Sequence, residues 1–262
     1  MNNSLTKPFI YVILATGISA CSNEEASLEP VIQERLVKGE CGTVFDGEIC
    51  TWSKMLGDEL VAFGASVSLS SAENADLEAE FIFPPTFAAR LPMPEGVKSH
   101  TGIDHLGINW ESHGHPPGPF FTPHFDFHFF TVSTDEVDAI DCSDVSKPET
   151  LPAGYALPDI ELPGLGMLVG LCVPQMGMHA LSEEEMAATD LFGASMVVGF
   201  YAQQPIFIEP MISRDLLMVR ENFSLAIPDS SAPAGSAAWP DSFEATYDAR
   251  ADAYHMTFSL QN

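Results

Sequence analysis

The chain carries eight histidines, and five of them (His105, His113, His115, His124 and His128) fall between residues 105 and 128. The densest stretch is Pro123-His124-Phe125-Asp126-Phe127-His128-Phe129-Phe130. A β-strand sends successive side chains to opposite faces. As a strand, this stretch puts His124, Asp126 and His128 on one face and Phe125, Phe127 and Phe129 on the other. Neutral imidazole and carboxylate are donor types of zinc, iron and manganese sites. Asp126 has two available roles: it can accept a hydrogen bond from a ligand imidazole and fix its tautomer, or it can act as a base. A half-exposed strand with a polar outer face gives the same pattern without any chemistry. Further along, His179 follows Pro174-Gln175-Met176-Gly177-Met178, and Glu209 ends the apolar run Ile206-Phe207-Ile208 before Pro210. A carboxylate buried at the end of such a run needs a partner, and a metal ion is one.

These side chains need strands to position them. Residues 125 to 132 have the strongest strand composition, with four Phe before Thr131-Val132. Strand composition also marks 60–69, 79–83 and 105–110. A hairpin is expected over 195–200 and 205–209 around Ala202-Gln203-Gln204, and a terminal hairpin over 243–247 and 253–260. Residues 142 to 175 hold five Pro and four Gly and read as one long loop at whose far end His179 lies. Ser182-Glu183-Glu184-Glu185 has a capping-box shape, and 215–219 suits a second short helix. The expected fold is therefore mainly β, an antiparallel sheet, barrel or sandwich with one or two short helices.

Composition narrows the function. There are 37 Asp+Glu against 10 Lys+Arg, a net charge of −27, which argues against nucleic-acid binding because the phosphate-neutralising residues are missing. At 46% hydrophobic the chain can still bury a core. Residues 1–20 read as a secretory leader: Lys7, the apolar run 9–15, then small residues. Ile18-Ser19-Ala20-Cys21 resembles the lipobox of bacterial lipoproteins, which implies acylation of Cys21. Residues 21–39 then form a flexible tether and 40–262 a single domain. With Ser22 rather than Asp after the cysteine, the resemblance implies an outer-membrane anchor facing the periplasm. Export leaves Cys41, Cys50, Cys142 and Cys172 in an oxidising compartment. Of the three pairings, Cys41–Cys50 with Cys142–Cys172 is preferred because both loops are local.

No Walker loop, GxGxxG or GxSxG occurs; the nearest serine to the last pattern is Ser195 in Gly193-Ala194-Ser195. Gly107 with His113-Gly114-His115 matches the opening of a cupin motif, but Pro116-Pro117-Gly118-Pro119 stands where its glutamate belongs. A more specific resemblance joins four segments. His113-Gly114-His115-Pro116, Pro123 to Phe130, Pro174-Gln175-Met176-Gly177-Met178-His179 and Glu209-Pro210-Met211 together resemble, in that order, a family of exported bacterial proteins of unknown function. Phe130 and Gln175 depart from a Tyr and a Gly common in that family. The resemblance spans about residues 43–260. It carries no activity but implies that His115, His124, Asp126, His128, His179 and Glu209 form one constellation. The expected ligands are His124, His128, His179 and Glu209, with His115 as the alternate and Asp126 as orienting group or base. Zinc is the expected ion, with iron and manganese as alternatives.

The expectation is a lipid-anchored metal protein. Its chemistry would be hydrolysis of a small neutral substrate, entering by a mouth around Phe120, Phe121 and Pro123. The alternatives are a non-catalytic metal-binding or sensing lipoprotein and a surface interaction protein without metal. His100, His105 and His255 are expected to be structural, with His105 and Asp104 a simple surface pair.

Overall fold

The computed structural model describes residues 33–229 and 231–260, so the expected leader, Cys21 and the first part of the tether lie outside the described residues. From Gln33 onward the chain is one compact unit. Its strands are β1 (Glu34–Val44), β2 (Gly47–Leu56), β3 (Glu59–Ser68), β4 (Ala89–Pro92), β5 (His105–Glu111), β6 (His124–Phe130) and β7 (Tyr155–Ala156). They continue with β8 (Ile160–Leu162), β9 (Gly166–Leu168), β10 (Met178–Ser182), β11 (Ala194–Tyr201) and β12 (Gln204–Ser213). Last come β13 (Phe223–Ala226), β14 (Ser242–Asp248) and β15 (Ala253–Ser259). One antiparallel sheet runs β1-β2-β3-β15-β14-β13, a second runs β4-β5-β6-β12-β11-β10-β7, and β8-β9 is a separate hairpin.

The two large sheets make a sandwich, one of the expected architectures. Alternation in β2, β3 and β15 sends one row inward, and the rows of both sheets meet in one core. Phe129 of β6 packs edge-on against Phe63 of β3 and Phe258 of β15, with ring centroids 6.2 and 4.9 Å away. Phe125 and Phe127 join the same core. The aromatic row of β6 thus faces the other sheet.

Its opposite face is also covered. Phe120 of a 3-10 turn (Gly118–Phe120) and Val137, Ile140 and Leu171 of the β6-to-β10 excursion pack over Phe130, Phe207 and Met211. Every residue of β6 is therefore buried, as in a central strand covered on both faces. The disulfides have the preferred pairing: Cys41–Cys50 joins directly opposed residues of β1 and β2, and Cys142–Cys172 staples the excursion.

Four expectations need correction. β1 starts at Glu34, inside the expected tether, because its residues pair with β2 as far out as Leu56. Residues 79–83 are not a strand, since no neighbouring strand pairs with them, and they line a cleft instead. The stretch 142–175 is not a plain loop, because glycines at positive φ let it fold back as β8-β9 and a second 3-10 turn. The described residues hold five short helices rather than one or two: α1 (Leu69–Glu73), α2 (Glu95–Thr101), α3 (Thr134–Asp138), α4 (Glu183–Met186) and α5 (Arg214–Val219). Each is too short to show a 3.6-residue period. Local caps fix three of them: a Ser133/Glu136 capping box for α3, Ser182 for α4 and Ser213 for α5.

The Cys142–Cys172 bridge spans 30 residues and Cys41–Cys50 only 9. Chain entropy gives the longer closure about 3–4 kcal/mol. Cys142→Ser/Cys172→Ser should lower stability in denaturant titration more than Cys41→Ser/Cys50→Ser, with limited proteolysis cutting first between 143 and 171. An equal loss for both pairs, with no new cut, would show that the staple does not hold the cover.

Candidate metal centre

The site grows from the register of three central strands. In β5-β6 pairing, Gly107 lies opposite His128, Asn109 opposite Asp126 and Glu111 opposite His124. In β12-β6 pairing, Phe207 faces Phe130 and Met211 faces Asp126, which brings Glu209 between them on the same face. His179 of β10 lies opposite Gly199 of β11, itself opposite Phe207. A Cβ at position 199 would come within 1.9 Å of the Phe207 ring, so glycine lets that ring lie flat on the sheet. Phe207 then packs 4.8 Å from His128 and 5.2 Å from His179, centroid to centroid.

His115 arrives from the loop after β5. Gly114 has φ +65°, and a Cβ there would meet the Phe120 carbonyl at 2.0 Å. That close approach lets the His115 N–H donate to Phe120 O at 3.2 Å and sets its ring 5.0 Å from His124.

The donors form two triads. His128, His179 and Glu209 offer ligand atoms all within 4.8 Å of one another, as do His115, His124 and Asp126. Either group can hold a metal ion. His128 Nε2 lies 3.6 Å and His179 Nε2 3.9 Å from Glu209 Oε2, while His124 Nε2 lies 3.2 Å from Asp126 Oδ1. Three imidazoles are anchored through Nδ1 to backbone carbonyls: His115 to Pro116 O (2.9 Å), His124 to Thr122 O (2.7 Å) and His179 to Leu171 O (3.0 Å). A carbonyl only accepts, so each Nδ1 carries the hydrogen and each neutral ring presents an Nε2 lone pair, the usual outer support of a metal-binding histidine. Against this, His124 Nε2, Asp126 Oδ1, both His128 nitrogens and Glu209 Oε2 are buried without hydrogen-bond partners. Such atoms are costly unless something else satisfies them.

The electrostatics are those of a buried cluster whose imidazoles and carboxyls shift one another. Burial pushes His115 down to about 4 and His128 down to about 3, and lowers His179 as well, so these rings are neutral at pH 7. Burial opposes charge on both His124 and Asp126, but their mutual attraction wins: His124 is raised and Asp126 held at about 2. Burial, with Asp126 and Glu111 nearby, drives Glu209 well above the carboxylate range. Burial beside Asp126 raises Glu111 to about 8.

A cleft of about 310 Å³ opens onto this face. His115, Asp126, His179 and Glu111 form its polar wall, and Phe81, Phe83, Phe121, Leu162, Leu168, Leu171, Val173 and Met176 its apolar one. Of the expected mouth, Phe121 is in place. Phe120 is fully buried beneath it and Pro123 does not line the cleft, because the 3-10 turn rotates Phe120 inward.

All six expected residues are thus brought to one face, divided into two groups. The Cys41, Glu48 and Cys50 cluster is no rival, since its sulfurs form a disulfide. His105 is not a surface residue: it is 2% exposed and stacked 5.0 Å from Phe130. Sequence reasoning missed Glu111, Asn109 and His105, which alternate on β5 toward the site; the period-two pattern His105-Gly107-Asn109-Glu111 was the available signal. Compared with known protein families, curated proteins and solved structures, the chain gives no match.

Glu111 gives a pH test. Its carboxyl is raised in the fold above its ordinary 4.5, so the stability it contributes is full below 4.5 and lost as pH rises through about 8. In chelator-stripped protein, Glu111→Gln should remove much of the fall in Tm between pH 5 and 8, raising Tm by several degrees at pH 8. Identical Tm–pH curves would mean that the group is not held neutral.

Proposed function

We propose that this protein is a metal-dependent hydrolase of a small neutral or apolar substrate. The observation that carries it is the convergence of His128, His179 and Glu209, buried, with unpartnered ligand atoms and an edge open to an apolar cleft. Two imidazoles and one carboxylate with an open position form the donor set of hydrolytic zinc, which makes zinc the first choice and iron or manganese the alternatives. A divalent cation there polarises a carbonyl and brings the pKa of a bound water near 7.

The chain's own residues supply the rest. Asp126, anionic in the cleft wall beside His124, is placed to orient that imidazole. Glu111, protonated at neutral pH on the same wall, is placed to give a proton to a leaving group. The leucines, Val173 and Met176 keep water out and favour an uncharged substrate, and the −27 net charge disfavours anions.

The proposal extends to place and kinship. The protein is taken as an exported lipoprotein anchored through Cys21 in the outer membrane facing the periplasm, akin to the exported family whose four motifs it resembles. Its two disulfides support an oxidising destination. A second reading, a non-catalytic metal-binding lipoprotein, is favoured by the depth of His128 (0%) and Glu209 (1%) alone.

Elemental analysis of the purified chain should find at least about one divalent metal per chain, lost in His128→Ala/His179→Ala. Chelation should lower Tm, as expected for a ligand bound only to the folded state. A screen of esters, lactones and amides should give turnover that disappears with the metal. Bound metal without turnover favours the second reading, and no bound metal overturns both.

A further inference from the structure

We propose that His115, His124 and Asp126 hold a second divalent cation beside the first, with Asp126 and Glu209 as the shared edge of a two-metal centre. The inference rests on the first metal position proposed above and adds a site to it.

The contact between His124 and Asp126 is the starting point. His124 gives its Nδ1 hydrogen to Thr122 O, so its Nε2 presents a lone pair, yet Nε2 faces a carboxylate oxygen 3.2 Å away. Two acceptors at that distance repel unless positive charge stands with them. The charge is either a proton on the imidazole or a cation. His115 is built the same way, with Nδ1 held by Pro116 O and Nε2 free for the same point. Two preset lone pairs and a carboxylate converging there match a metal better than a lone proton, which would use one nitrogen and leave the other without a role.

Charge balance points the same way. Asp126, Glu209 and Glu111 crowd one buried face, and no Lys or Arg lines the cleft. A cation at each triad would supply the positive charge that no described side chain of the cleft supplies. Glu209 of β12 and Asp126 of β6 lie on the same face of paired strands, so each triad has a carboxyl at their junction. Carboxylates at such a junction suit two-metal hydrolytic sites, whose ions stand about 3.5–4 Å apart. Both positions reach the cleft, the first through His179 and the second through His115 and Asp126. The second ion, one of whose donors comes from a loop and not from a strand, is the one more readily lost.

The test is a metal titration of the stripped full chain with Mn²⁺ or Co²⁺, read by elemental analysis and EPR. Wild type should bind about two equivalents in two steps and show exchange coupling between adjacent ions. His115→Ala/His124→Ala should keep the tighter equivalent and give the signal of an isolated ion. Should that variant not fold, His115→Gln alone, a change in a loop, should weaken the second step at least tenfold and leave the first unchanged. A single equivalent in wild type, unaltered in either variant, overturns the second site while leaving the first intact. No binding at all overturns both.

Discussion

The structure depends on one electrostatic constraint: four imidazoles and three carboxyl groups, most of them buried, gather on and beside one sheet face, and among the described residues no lysine or arginine lines its cleft. Taking ionised groups out of water costs far more than any single contact returns, unless the charges are paired. The face answers partly by suppressing charge. Glu209 and Glu111 are driven toward their neutral forms, and His115, His128 and His179 stay unprotonated. Asp126 alone is held firmly ionised, and it raises His124 beside it. Three of the imidazoles have Nδ1 tied to a backbone carbonyl, which is the support a metal-binding histidine uses.

Holding such a face together requires rigidity behind it. The Phe125, Phe127 and Phe129 row of β6 locks into the second sheet through Phe63 and Phe258, so the strand carrying three candidate donors cannot twist. Phe207 and Phe130 then wedge the His128 ring from the side. The same strand serves as core and as site, one face for each. That is why β6 is buried throughout despite two histidines and an aspartate.

Much of this was legible in the sequence, and the failures have physical causes. The period-two alternation of His124, Asp126 and His128 against three Phe follows from strand geometry alone and needs no partner to be read. The antiparallel β class, both disulfides and the hairpin carrying Glu209 were legible from local signals of the same kind. The division into two triads was not, because it depends on which strand lies beside β6, and that is a long-range fact. Glu111 was missed for the same reason: a carboxylate in a strand is ordinary until a neighbouring strand and a covering loop bury it. Residues 79–83 looked like a strand by composition but have no pairing neighbour. The five helices were under-read because one or two turns give no periodicity, only a cap.

The staple over the site has a further implication. Cys172 directly follows Leu171, whose carbonyl holds the His179 ring in its ligand-ready tautomer, and Cys172 is bonded to Cys142. The segment that orients a donor is therefore fixed in place by a bond that only an oxidising environment completes. A chain folded under reducing conditions can assemble the strands, and with them His128 and Glu209, while His179 still lacks a fixed tautomer. On the metal reading proposed above, closure of the staple and readiness of a donor would be linked, and the compartment that closes the disulfide would also decide which ions the cluster meets.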